Sequence, residues 1–267
     1  FLSDTAKANI LQTVDKLGID HVYVRPRFEM LRSIFAHIIT TETGCVTEAV
    51  CPSCGAFYGS LAKMVARRFG IPFVVMGWAT EQDRPAIRIG RTRHYRDGRR
   101  LRELADSVLD PESSAYIWEM FRAQMHRWIP RPIALRIAKH VPARFFRYFV
   151  SAYPMGLTPF KAWGYDPEKH TRKIIDLGLI PAGKEDVRET NCLMMHCLNY
   201  IDLRRLGFSP FIGDFASYIR EGKSGREKWL VIFEENMEQA RQGTYRRKDV
   251  EEVLRRLGIT EEEIFGK

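Results

Sequence analysis

Near the start of the chain apolar residues recur every three to four positions. Ile10, Leu11, Val14 and Leu17 form one stripe, Ser3 or Asp4 precedes it as a cap and Gly18 ends it, which predicts a helix. Residues 21–24, HVYV, read as a short strand. Met30, Leu31, Ile34 and Phe35 predict a second helix over 28–39, and a polar loop over 40–49 follows. Leu61, Met64, Val65 and Phe69 predict a third helix over 55–69. The run IPFVVM at 71–76 has no charged or polar interruption, which is how a strand covered on both faces of a parallel sheet reads. Helix, strand, helix, helix, strand predicts α/β layering with crossover connections.

The rhythm changes after residue 83. Helical segments at 114–128, 132–140 and 143–152, punctuated by Pro130, Pro132 and Pro142, predict a basic helical insertion or lid over 84–153. Residues 1–83 then form an α/β domain, and 154–267 return to it through a cysteine-bearing segment at 190–197. Helices at 225–241 and 248–257 and a short capped helix at 259–265 close the chain.

Composition changes this picture in two places. The chain has 267 residues, 42 Lys and Arg against 33 Asp and Glu, and a net charge of +9. All of that excess sits in 84–147, where 15 basic residues, 14 of them Arg, face six acidic ones. Guanidinium is a planar two-donor fork, so a nucleotide, an acidic sugar, RNA or an anionic lipid would suit the segment, as would plain solvation of a helical face. With 45% hydrophobic residues the chain has material for a core, which excludes disorder over most of its length. No apolar run is long enough to cross a bilayer, and a cytoplasmic location is expected.

The five cysteines are the second place. Cys51-Pro-Ser-Cys54-Gly55 sets two thiols two residues apart around a turn, a metal-knuckle pattern. A thiol-exchange pair and inert thiols are the other readings; Val50 ahead of the first cysteine, where exchangers carry an aromatic residue, favours metal. Cys192 and Cys197 are the thiols available to complete such a site, as zinc or as an iron-sulfur cluster, with His196 or Cys45 as a further ligand and with Cys197 alternatively a small buried hydrophobe on a helix. Past the run at 71–76, Gly77 opens a loop in which Glu81 and Asp83 could hold Mg²⁺ beside a polyphosphate, or simply be solvated.

Several stretches together resemble one family. FLSDTAKANI, LGIDHVYVRP, CPSCG, IPFVVMGWATEQ, TNC and IDLRRLGFSPFIGDFASYIREGKSGREKW, in that order, look like the N-acetyl sugar amidotransferases of the PP-loop ATP pyrophosphatases. The likeness covers 1–77 and 190–258 and matches the Arg-rich middle poorly. It implies an adenine nucleotide alpha-hydrolase-like, Rossmann-like parallel-sheet domain that binds ATP with Mg²⁺. The substrate, a sugar, is adenylated, and a nitrogen or sulfur nucleophile from an ammonia- or sulfur-donor protein displaces AMP. Cys51, Cys54 and Cys192 map onto the family's metal or cluster cysteines, Gly77 lies beside the nucleotide, and Arg220, Lys223 and Arg226 match its terminal basic motif.

Two departures qualify that expectation. The family's phosphate loop, of the S-G-G-x-D-S type, does not occur in these residues, and its oriented N–H donors are what stabilise departing pyrophosphate. The chain is therefore expected to be a piece of a longer enzyme that does not turn over ATP unaided. Trp78 also stands where sugar-family members often carry Glu, which leaves the acceptor open and makes a tRNA-type substrate bound through 84–147 the rival to a sugar. The alternative to an enzyme is a noncatalytic, metal-stapled module that binds RNA, a partner or an anionic membrane through its Arg-rich segment.

Overall fold

The computed structural model describes residues 1–77, 98–125, 140, 154–180 and 191–266. They are mostly helical, 69% helix against 4% strand, which overturns the expected parallel-sheet, Rossmann-like domain. The chain forms two compact units: one takes its described residues from 1–49 and from 165 onward, the other from 50–77, 98–125, 140 and 154–164.

The first unit begins with α1 (Asp4–Leu17), capped by Ser3, whose side chain accepts from the Ala6 amide at 3.1 Å, and stopped by Gly18 at φ 59°. Residues 21–24, expected as a strand, have no regular structure and are exposed. In α2 (Phe28–Thr41) Met30, Ile34, Phe35, Ile38 and Ile39 are buried as one stripe. The long helix α3 (Val46–Arg68) starts in this unit and continues in the other, and it absorbs part of the expected loop at 40–49.

After α7 (Pro167–Asp176) comes α8 (Leu193–Leu206), where every residue from His196 to Leu203 is buried. Helices α2 and α10 to α12 surround this core: α11 (Arg247–Leu257) and α10 (Arg226–Arg241) pack on α8, while α2 packs on α11 and on α12 (Glu261–Phe265). The short α9 (Ile212–Arg220) lies on α10 through Phe215 and Trp229, whose ring centroids are 3.6 Å apart. The first residues are tied to the start of α8, with Ser3 donating to the Asn191 carbonyl at 3.0 Å and Leu193 to that of Phe1 at 2.8 Å.

In the second unit α4 (Gly98–Val108) and α5 (Pro111–Met125) pack as a hairpin around Leu101, Leu104, Ala105 and Ile117. Strand β1 (Phe73–Val75) pairs in parallel with β2 (Met155–Leu157), which leads into α6 (Pro159–Trp163). The expected doubly covered strand at 71–76 is thus three residues long, and Phe73 and Val75 lie open to solvent. An apolar run reports only that burial is favourable, and this one was read as a complete sheet strand without its neighbours being known.

Candidate functional site

The CPSC segment is not a turn ahead of a helix; it lies inside α3. Pro52 sits seven residues into that helix and donates no amide hydrogen, while Ser53 donates its hydroxyl to the Val50 carbonyl at 2.7 Å. Cys51 and Cys54 are three positions apart, so their side chains lie on one face about 5–6 Å from each other at Cβ. Both are half-buried, and neither is in a disulfide. Helix geometry therefore supplies two thiols that can turn toward a common ion.

The two distal cysteines differ from each other. Cys192 is half-buried at the N-cap of α8, where an antiparallel bridge to Leu2 fixes its backbone. Cys197 is wholly buried in the core of α8, and burial pushes its thiol up to about 12. A metal needs thiolate, so Cys197 in this packing has the chemistry of a small hydrophobe. Cys51 and Cys54 belong to the second unit and Cys192 and Cys197 to the first. Among the described residues no three His, Cys, Asp or Glu side chains form a metal-holding group. The dithiol in α3 fits two ligands of a zinc or cluster site and does not by itself close one.

Gly77 follows β1, and among the described residues nothing lies within 4 Å of where its Cβ would be. Glu81 and Asp83, and most of the Arg-rich segment at 84–147, lie outside the described residues. Within that segment Arg102 is engaged: it stands 3.5 Å from Asp106 and 4.3 Å above the Trp118 ring. Of the terminal basic residues, Arg220 is exposed at the end of α9. Lys223 is a strut, donating to the Tyr165 carbonyl at 3.2 Å and pairing with Glu221 at 2.7 Å. Arg226 opens α10, exposed, 3.9 Å from Glu227. Of the three, Lys223 is engaged within the protein while Arg220 and Arg226 are exposed.

Sequence reasoning named Cys45 and His196 only as further ligands for the cysteine site and missed Asp202 and Asn199, all four buried in the first unit. Asp202, on α8 and fully buried, accepts from the Val46 amide at 2.8 Å and the Thr47 amide at 3.0 Å, and from the Cys45 thiol at 3.3 Å. It caps α3 from a different helix. Burial raises its carboxyl above the ordinary value against the pull of those donors, and burial together with the Asp202 charge pushes the Cys45 thiol well up. On the same helix His196 meets Asp249 of α11, Nδ1 to Oδ2 at 2.8 Å, while its buried Nε2 has no hydrogen-bond partner among the described residues. Asn199 donates to the Tyr245 hydroxyl at 2.9 Å and accepts from Ser209 at 2.7 Å. Three polar side chains within seven residues of an otherwise apolar helix were the available signal; which of them find partners depends on helices far along the chain.

In comparisons with known proteins, no family model, no curated protein and no solved structure matches the chain.

Proposed function

We propose that the chain is a thiolate metal-binding part of an ATP-dependent amidotransferase-like or thiolase-like enzyme acting on a sugar. The observation that carries the reading is the pair Cys51 and Cys54, one helical turn apart on α3, half-exposed and free of a disulfide. Bound there, zinc would order the helix, while an iron-sulfur cluster with an open iron would also offer a site for a sulfur or nitrogen donor. The order of sequence motifs supports the same reading. The chain's own contribution is to hold metal; its residues include no S-G-G-x-D-S loop to cradle pyrophosphate. Metal and sulfide analysis after anaerobic purification, with ATP–pyrophosphate exchange, tests this. We expect metal near one equivalent, lost in Cys51→Ser/Cys54→Ser, and no exchange by the chain alone. Full-rate exchange, or metal content indifferent to those substitutions, overturns it.

A second reading is favoured by the helical build of the described residues and by the +9 carried in 84–147. In it the metal only staples the fold, and the basic segment docks the protein on a polyanion. Anionic lipid, RNA and an acidic partner all supply that charge.

A further inference from the structure

The second unit exposes an apolar sheet face. Phe73 and Val75 are two residues apart on β1, and the register sets Met155 beside Phe73 and Leu157 beside Val75, so all four side chains share one face. They are 41%, 67%, 39% and 38% exposed. Parallel sheets are covered on their faces as a rule, since a parallel strand pair carries apolar residues on both sides. Phe69, the first residue beyond the end of α3 and 62% exposed, and Trp163, on α6 and 80% exposed, extend the apolar surface of this unit.

The two chain segments that carry these residues hold charges of one sign. Residues 50–77 and 154–164 contain Lys63, Arg67, Arg68 and Lys161 and no Asp or Glu. Arg67 and Arg68 end α3 just ahead of Phe69, are exposed, and pair with no carboxylate among the described residues. A second copy of the chain laid on this face would bring like charges together. RNA would use the cations and the rings but gains nothing from Val75, Leu157 and Met155. An anionic bilayer surface accepts all of it: aliphatic and aromatic side chains at the level of the headgroups and acyl boundary, cations against the lipid phosphates and carboxylates.

We propose that the face formed by Phe73, Val75, Met155 and Leu157, together with the exposed Arg67, Arg68 and Phe69 just ahead of β1 in the chain, seats this protein on an anionic membrane surface. The proposal rests on the second reading above and names the polyanion. The protein lies on the bilayer and does not cross it; no helix among the described residues is long and apolar enough to span.

Co-sedimentation of the full chain with vesicles tests it, comparing phosphatidylcholine alone with phosphatidylcholine carrying about a third phosphatidylserine, at low salt. We expect binding to the mixed vesicles only. Val75→Glu and Phe69→Glu, at side chains already turned to water, are expected to keep the wild-type melting transition and to weaken binding about tenfold or more, the worth of withdrawing one apolar side chain. If Val75→Glu fails to fold, Val75→Ser takes its place with the same expectation. Wild-type affinity in both variants overturns the assignment of this face while leaving the second reading intact. Absence of binding by the wild type to mixed vesicles overturns the lipid assignment and leaves the second reading to RNA or an acidic partner. A dimer in solution that Val75→Glu dissolves, without vesicle binding, makes the face a self-interface and overturns the lipid assignment.

Discussion

Asp202 spends a buried charge on the first turn of another helix. The orphan amides of Val46 and Thr47 need an acceptor, and the positive end of α3 favours a negative one. Asp202→Ala leaves two amides and the Cys45 thiol without it, and we expect urea denaturation to show a loss of about 2–4 kcal/mol. Because burial holds the folded-state carboxyl above its unfolded value of about 3.9, the folded state binds the proton more tightly. Asp202 therefore contributes most below that value, and its contribution declines as pH rises through the higher folded one. The stability difference between wild type and Asp202→Asn should shrink from pH 4 upward; a difference that grows with pH contradicts this origin. The cysteines divide by the same physics. Alkylation of the metal-free native protein at neutral pH, read by peptide mass spectrometry, should label Cys51 and Cys54 and spare Cys45 and Cys197, whose thiols burial keeps protonated.

Helices that bury one stripe were legible in the sequence, and a helix that buries every side was not. The spacing of Met30, Ile34 and Phe35 announced α2, and that of Val250, Val253, Leu254 and Leu257 matches the helix expected at 248–257. Burial all round leaves α8 without a stripe, so LMMHCLNYIDL reads as a cysteine segment, and as a helix only in the alternative that buries Cys197. The caps were readable where they are local, as at Ser3 and Gly18, and invisible where they come from afar, as at Asp202. Another distant cap joins α2 to α11: Arg32 donates from Nε to the Leu257 carbonyl at 3.0 Å, a cation at the negative end of α11. The adjoining Gly258 holds φ 69°, and a Cβ there would stand 2.5 Å from Arg32 Nη2. Gly258→Ala is thus expected to cost about 1–2 kcal/mol in thermal or urea unfolding, from the left-handed backbone and the displaced guanidinium together. Hydrogen exchange should rank the elements in the same way, slowest through the centre of α8 and faster by orders of magnitude in β1 and β2, whose short ladder lies open to water.

At the scale of the whole molecule, the sequence expectation failed on layering and was readable in charge. The alternation of helix and strand signals predicted a covered parallel sheet, but segment 21–24 is an exposed strip and the run at 71–76 a three-residue strand, because β-propensity without partners makes no sheet. Charge needs no such context: summed along the chain, it concentrates +9 in 84–147 whatever the fold. Cations already engaged inside the protein release no counterions on binding. Arg102, held between Asp106 and Trp118, is one of these. Binding of the chain to poly(U), used purely as a soluble polyanion, should therefore weaken with salt at a slope of roughly −0.7 per phosphate neutralised, corresponding to fewer than the 15 basic side chains of the segment. Arg102→Ala should lower the melting temperature and leave that slope unchanged. A slope that falls by about 0.7 in Arg102→Ala would show instead that this guanidinium leaves its internal partners to meet phosphate, and that the α4–α5 hairpin belongs to the binding surface rather than to its support.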